Sequence, residues 1–192
     1  MPYQYTNRKK VTYSLYQNRT KTGKVRYYFS QKQSAGNPIE QLPEGYEVYE
    51  NPNAVVFLRK KQAPVITCDE IALIEKGILK YCQLPRHTID VKKNIIRVFI
   101  PDQDVDDLIN LFRESSILSK PVNLDSLENM LTYSPVMQFV LEDKDERLFQ
   151  AERYCYLGST DDWIPIGFPG SLSKLAEKYL RHIGKDSYFE LM

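Results

Sequence analysis

The stretch RKKVTYSLYQNRTKTGKVRYYFSQK, residues 8–32, decides how the N-terminal part of the chain folds. In Val11-Thr-Tyr-Ser-Leu-Tyr16 and again in Val25-Arg-Tyr-Tyr-Phe-Ser30, apolar or aromatic residues recur at every second position, the period of a strand with two unlike faces. Between them Thr20-Lys-Thr-Gly-Lys24 has the polar, glycine-bearing composition of a turn, so a β-hairpin is expected. Val11, Tyr13, Leu15, Val25, Tyr27 and Phe29 would then point inward. Tyr16, Arg26 and Tyr28 would point outward, beside the loop cations Arg19, Lys21 and Lys24. The stretch holds eight Lys or Arg and no acid, and cations interleaved with aromatics form a surface suited to polyanions.

Further hairpins follow from the same logic. Gln33–Pro38 and Leu42–Gly45 carry turn residues, Tyr46–Tyr49 and Ala54–Leu58 are rich in β-branched and aromatic residues, and Asn51-Pro-Asn53 lies between them. A second hairpin over 46–60 is expected, and residues 1–62 form a basic, mostly β module. Residues 63–192 form an α+β domain, with a sub-boundary near residue 120 where Lys120-Pro121 interrupts the pattern. There, Thr67-Cys-Asp-Glu70 has the spacing of a capping box and starts a helix whose apolar stripe runs through Ile71, Ile74, Ile78 and Cys82, with Pro85 ending it. Thr88–Val91 and Ile95–Ile100 form a third hairpin. Asp102–Glu114 and Leu124–Leu131 have helical spacing. Val136–Glu142 and Arg147–Leu157 form a fourth hairpin, and 158–170 is expected to be irregular. Leu172, Leu175, Ala176, Tyr179 and Ile183 define a last amphipathic helix, and Ser187–Leu191 an edge strand. The expected fold class is therefore α+β, antiparallel hairpins with about four helices.

With 42% hydrophobic and 27% charged residues in 192, the composition is that of a globular chain. There is no apolar run of membrane-spanning length and no signal-like start, so a cytoplasmic location away from membranes is expected. Cys68, Cys82 and Cys155 are odd in number and lack the close pairing of a metal motif or a disulfide framework, so reduced, mostly buried thiols are expected. Although the net charge is only +1, residues 1–39 carry eight cations and no acid, leaving eighteen cations against twenty-five acids, −7, in residues 40–192. Such asymmetry suits nucleic acid or an acidic protein partner, and equally suits docking of one part of the chain on the other.

Familiar chemical motifs fail on particular residues. Thr20-Lys-Thr-Gly-Lys24 lacks the upstream glycine of a phosphate loop, where Asn18 stands, and Val25 replaces the hydroxyl that would reach magnesium. In Asp102-Gln-Asp-Val-Asp106 the alternate acids suggest a calcium loop, but Asp107 stands where the glycine is needed and Arg113 where the bidentate Glu is needed. His87 and His182 lack ligand partners at metal spacing, and Gly158-Ser-Thr-Asp161 is not a nucleophile elbow. No catalytic residue, metal site or cofactor is therefore assigned. Asp161, Asp162 and Trp163 form a candidate ligand or partner site, two carboxylates beside the only tryptophan.

The segments Lys21–Ser30, Glu44–Asn53 and Gly158–Ile164 are together similar to a group of uncharacterised bacterial proteins. That resemblance implies a bacterial cytosolic protein and carries over no activity. The expected function is a nucleic-acid-binding or accessory protein using Tyr16, Arg19, Lys21, Lys24, Arg26 and Tyr28. The alternatives are a non-catalytic interaction or scaffold protein, and an enzyme with its site near Asp161, Asp162 and Trp163.

Overall fold

The computed structural model describes residues 1–32, 36–82, 84, 86–104, 107, 129–157 and 160–192. The chain divides into two compact units, Met1–Ala63 and Pro64–Met192. Among the described residues every strand pair is antiparallel, and with the helices of the second unit this makes an α+β protein built of hairpins.

In the first unit, β1 (Gln4–Thr6), β2 (Thr12–Arg19) and β3 (Val25–Ser30) form a sheet in that order, and the two-residue β4 (Asn37–Pro38) pairs with β2 on the side of β1. The hairpin β5 (Tyr46–Glu50) and β6 (Val56–Lys60) forms a separate two-stranded sheet that packs against β3. At its tip the Asn51 carboxamide accepts the amides of Asn53 at 3.0 Å and Val55 at 2.8 Å, while Ala54 takes a positive φ of 63°. This is the job expected of an Asx turn. Tyr13, Leu15, Tyr16, Ala54 and Val56 are buried here.

In the second unit, β7 (Thr88–Lys92), β8 (Ile95–Pro101), β9 (Tyr133–Asp143), β10 (Leu148–Leu157) and β11 (Thr160–Pro165) form one sheet in chain order, with β12 (Gly170–Ser171) paired to β10. The alternation of β8, β9 and β10 buries Ile96, Val98, Met137, Phe139, Leu141, Phe149 and Ala151 on one face, in a single core with the helices. The capping box is present: Thr67 accepts the Glu70 amide, Glu70 accepts the Thr67 amide, and α1 (Cys68–Gly77) follows. It runs on as a π-helical turn, Ile78–Cys82. Gly77 matters by its lack of a side chain, since a Cβ there would meet Leu180 at 2.7 Å; α1 and the C-terminal helical segment therefore approach closely. Arg147, in the β9–β10 turn, forms an ion pair with Glu70. Burial pushes the Glu70 carboxyl up, but the hydrogen bonds from Arg147 and Thr67 outweigh it, and the group sits below the usual carboxylate range.

Helix α2 (Leu172–Tyr179) buries Leu172, Leu175, Ala176 and Tyr179 and continues as a 3₁₀ turn over Leu180–His182. Among the described residues there are two α-helices rather than about four. The helices expected over Asp102–Glu114 and Leu124–Leu131, with the sub-boundary near residue 120, fall almost wholly outside the described residues. Two other expectations are corrected. Residues 160–165 form a paired strand rather than an irregular connection, their register set by β10. Asp186–Tyr188 is a 3₁₀ turn rather than part of an edge strand, because the Tyr188 side chain turns inward. Its hydroxyl accepts the Tyr154 amide at 3.1 Å and donates to the Val136 carbonyl. Arg153, beside it on β10, donates to the Leu191 carbonyl at 2.8 Å.

Leu175→Asp should destabilise the protein by roughly 3–5 kcal/mol, because it places an unpaired carboxylate in the core; an unchanged urea midpoint would contradict the packing of α2. Burial raises the Tyr188 hydroxyl to about 12. A raised folded-state pKa means that its stability contribution is complete below the unfolded value near 10 and is lost as pH rises from about 10 to about 12. Tyr188→Phe should cost about 1–3 kcal/mol at neutral pH by leaving the Tyr154 amide unpaired. Its alkaline loss of stability, compared with wild type by chemical denaturation, should be shallower by about 2–3 kcal/mol.

Candidate functional site

The first site is the β2–β3 hairpin. Its register sets Asn18 opposite Arg26 and Arg19 opposite Val25, and the chain turns through Thr20–Lys24. There the Thr20 amide reaches the Lys24 carbonyl at 2.9 Å, the Gly23 amide reaches the Thr20 carbonyl at 2.8 Å, and Gly23 has φ 79°. A left-handed residue at this point favours glycine. Arg19, Lys21, Lys24 and Arg26 are all exposed, and none pairs with an acid among the described residues. Three of the four acids of this unit are engaged elsewhere: Glu47 pairs with Arg59 at 2.7 Å, Glu50 with Arg8 at 3.6 Å and Glu40 with the N-terminal ammonium at 2.7 Å. The unit has eleven Lys or Arg against four Glu, a net +7, while residues 64–192 have fifteen against twenty-one, a net −6.

Two of the expected outward aromatics behave otherwise. Tyr16 is only 6% exposed and stacks on Tyr28 across the pair, ring centroids 6.0 Å apart. The chain returns along β2 so that Pro38 lies opposite Tyr16, and Gly36 sits so close to Tyr28 that a Cβ would approach its hydroxyl to 2.3 Å. Tyr16 is thus a core residue, and Tyr28 is half-buried. Conversely Val25, expected inward, is 50% exposed, because it lies near the tip of the hairpin.

Beside the cations runs a groove of about 690 Å³. One wall is β3, with Arg26, Tyr27, Tyr28 and Phe29, and the other is the start of β6, with Val55, Val56, Phe57 and Leu58. Val55 is 41% and Phe57 46% exposed. Tyr27 is held edge-on to Tyr46 at 5.4 Å, and Phe57 stacks on Tyr49 at 6.3 Å, with the Arg59 guanidinium 4.4 Å from the Tyr49 ring. From sequence Ala54–Leu58 reads as a strand of the second hairpin, with no signal that it would line a groove.

The second site lies on the sheet of the C-terminal unit. Trp163 stands directly opposite Tyr154, their rings edge-on at 5.0 Å, with the Arg97 guanidinium 5.5 Å from the indole. The Tyr154 hydroxyl donates to Asp161, which, with the lesser effect of desolvation, raises its pKa above the usual tyrosine value. Asp161 and Asp162 are adjacent on a strand and leave on opposite sides; the Asp162 carboxylate accepts the Trp163 amide at 2.8 Å. The two acids are therefore not brought together for acid–base work. Instead, Asp90, Arg97, Gln138 and Glu152 form one row across four strands. Within it Arg97 donates to Gln138 at 2.7 Å and Gln138 donates to Glu152. The sequence carried a weak signal of this row, single polar residues inside apolar runs such as Ile95-Ile-Arg-Val98, but no information on register.

Cys68 is exposed, Cys82 half-buried and Cys155 buried, all free; burial pushes the Cys82 thiol up to about 11. Among the described residues no group of His, Cys, Asp or Glu is arranged to hold a metal ion, and no helix is long and apolar enough to cross a membrane. Fold and site together define an α+β protein with a basic, aromatic hairpin. No known protein family, curated protein or solved structure matches the chain.

Because Tyr16 is core, Tyr16→Ala should lower stability by about 3 kcal/mol, whereas Arg26→Gln should change it by less than about 0.5 kcal/mol. Equal urea midpoints for the two variants would contradict this assignment.

Proposed function

We propose that this chain is a nucleic-acid-associated accessory protein that holds a phosphate backbone on the tip of the β2–β3 hairpin. The observation that carries this reading is the group Arg19, Lys21, Lys24 and Arg26, all exposed and unpaired with acid among the described residues. Four cations on one turn repel one another, and a polyanion relieves that repulsion while releasing its own counterions. Lysine and arginine contacts to phosphate position a strand without reading its sequence, so binding is expected to be general and strongly salt-dependent. The acidic balance of residues 64–192 favours this division of roles, since it leaves the basic hairpin as the part suited to anions.

A second reading, an interaction protein, is favoured by the Trp163, Tyr154 and Arg97 cluster, since Trp, Tyr and Arg are the residues enriched at energetically important protein contacts. An enzymatic role at Asp161 and Asp162 has less support, because those carboxylates diverge.

If four phosphates are neutralised, the slope of log affinity against log salt is about −3 to −4 on duplex DNA. Lys21→Glu with Lys24→Glu should flatten it by about two units and weaken binding to every sequence tested. Fluorescence anisotropy with labelled DNA and RNA at several salt concentrations reads this directly. A wild-type protein with no salt-dependent binding at micromolar concentration rules the reading out and leaves the interaction role in its place.

A further inference from the structure

Beyond phosphate binding, and resting on it, we infer that the groove between β3 and β6 takes the unpaired bases of a single strand, making single-stranded nucleic acid the ligand class of this protein. Three observations converge. Strand β3 is paired only to β2 and strand β6 only to β5 among the described residues, so the groove runs between two open strand edges. Its lining includes aromatic and apolar residues that reach solvent: Phe57 and Val55 are left 46% and 41% exposed, Phe57 stacked on Tyr49, and Tyr27, Tyr28 and Phe29 along β3 are half-buried. Arg26 lines the same groove and is one of the four cations of the hairpin tip, so a strand whose phosphates lie on the tip can lead its bases into the groove.

The volume, about 690 Å³, falls within the range of about 300–1,000 Å³ typical of small-ligand sites, room for roughly one to three bases. Stacking on aromatic side chains is how sheets and grooves hold single strands without sequence preference. In a duplex the π faces are already stacked on one another and closed to such a wall, so a duplex engages only the cations. An acidic peptide is the competing occupant of an open edge. It would be held by main-chain hydrogen bonds and by pockets for alternate side chains, neither of which calls for an exposed phenylalanine ring at the groove.

The test uses the full chain, labelled oligothymidylate, a blunt duplex of matched length and a labelled polyglutamate peptide, with anisotropy at several salt concentrations. Phe57→Ala should weaken binding to the oligothymidylate about 5- to 150-fold, leave the salt slope unchanged and leave duplex binding near wild type. Phe57→Leu, which keeps apolar bulk and removes the ring, should show a similar loss with a wild-type melt, and Phe57→Tyr should restore affinity. Equal effects on single strand and duplex, or no effect on either, overturn the inference. Polyglutamate binding that falls with Phe57→Ala overturns it in favour of an acidic peptide. If Lys21→Glu with Lys24→Glu weakens both nucleic acids while the Phe57 variants weaken neither, phosphate binding stands and the groove assignment alone fails. Wild-type protein that binds neither nucleic acid overturns both.

Discussion

One buried carboxamide organises the N-terminal unit. The Asn7 side chain donates to the Ala54 carbonyl at 2.7 Å and accepts the Val11 amide at 2.8 Å, so it closes the β1–β2 turn and grips the tip of the β5–β6 hairpin at once. A buried amide left unpaired costs about 1–3 kcal/mol, and one satisfied at both ends fixes position as well as energy. Around it, Tyr5 donates to Glu50 at 3.1 Å and Arg8 donates to the Asn51 carbonyl at 3.2 Å. The start of β6 is thereby set against β3, and the groove lined by Phe57 and Phe29 exists because of that placement. Two-stranded ribbons are marginal alone, and here the second hairpin is held by the first.

The C-terminal unit follows a different plan. One face of its sheet is closed by α1, the π turn and α2 over a core that includes Phe139, Phe149, Ile96 and Ile78. The ends of that arrangement are fastened by polar contacts: Arg147 with Glu70 at the β9–β10 turn, and Tyr188 with the backbone of Val136 and Tyr154. The polar row Asp90, Arg97, Gln138 and Glu152, with Trp163 and Tyr154 beside it, belongs to the opposite alternation of the same strands. That alternation explains why two adjacent aspartates do not make an acid–base pair while Arg97 and Trp163, distant in sequence, do meet.

Charge divides along the same line as the fold. The N-terminal unit pairs Glu47 and Glu50 internally and leaves the cations of its hairpin tip without acid partners among the described residues. Its aromatic residues then divide by position: Tyr16 goes into packing, while Tyr27, Phe29 and Phe57 line a groove next to those cations. Aromatic residues thus both pack this unit and line its groove, and the docking of the second hairpin decides which of them do each.

Local pattern was enough to place the hairpins β2–β3, β5–β6, β7–β8 and β9–β10, the capped start of α1 at Thr67 and the buried stripe of α2, because period, turn chemistry and capping act over a few residues. Sequence placed Arg19, Lys21, Lys24 and Arg26 around one hairpin turn but left open whether acids elsewhere in the chain cover them; their exposure is read from the structure. Tertiary structure alone decided the rest. A period of two shows that Tyr16 and Tyr28 share a face, but not that the chain at 36–38 would return beside them and bury Tyr16. Nor does it show that Asp161–Ile164 would pair with β10, or that Phe57 would remain exposed beside β3. Each of these depends on contacts between residues far apart in the chain, and a single sequence carries no register for such contacts.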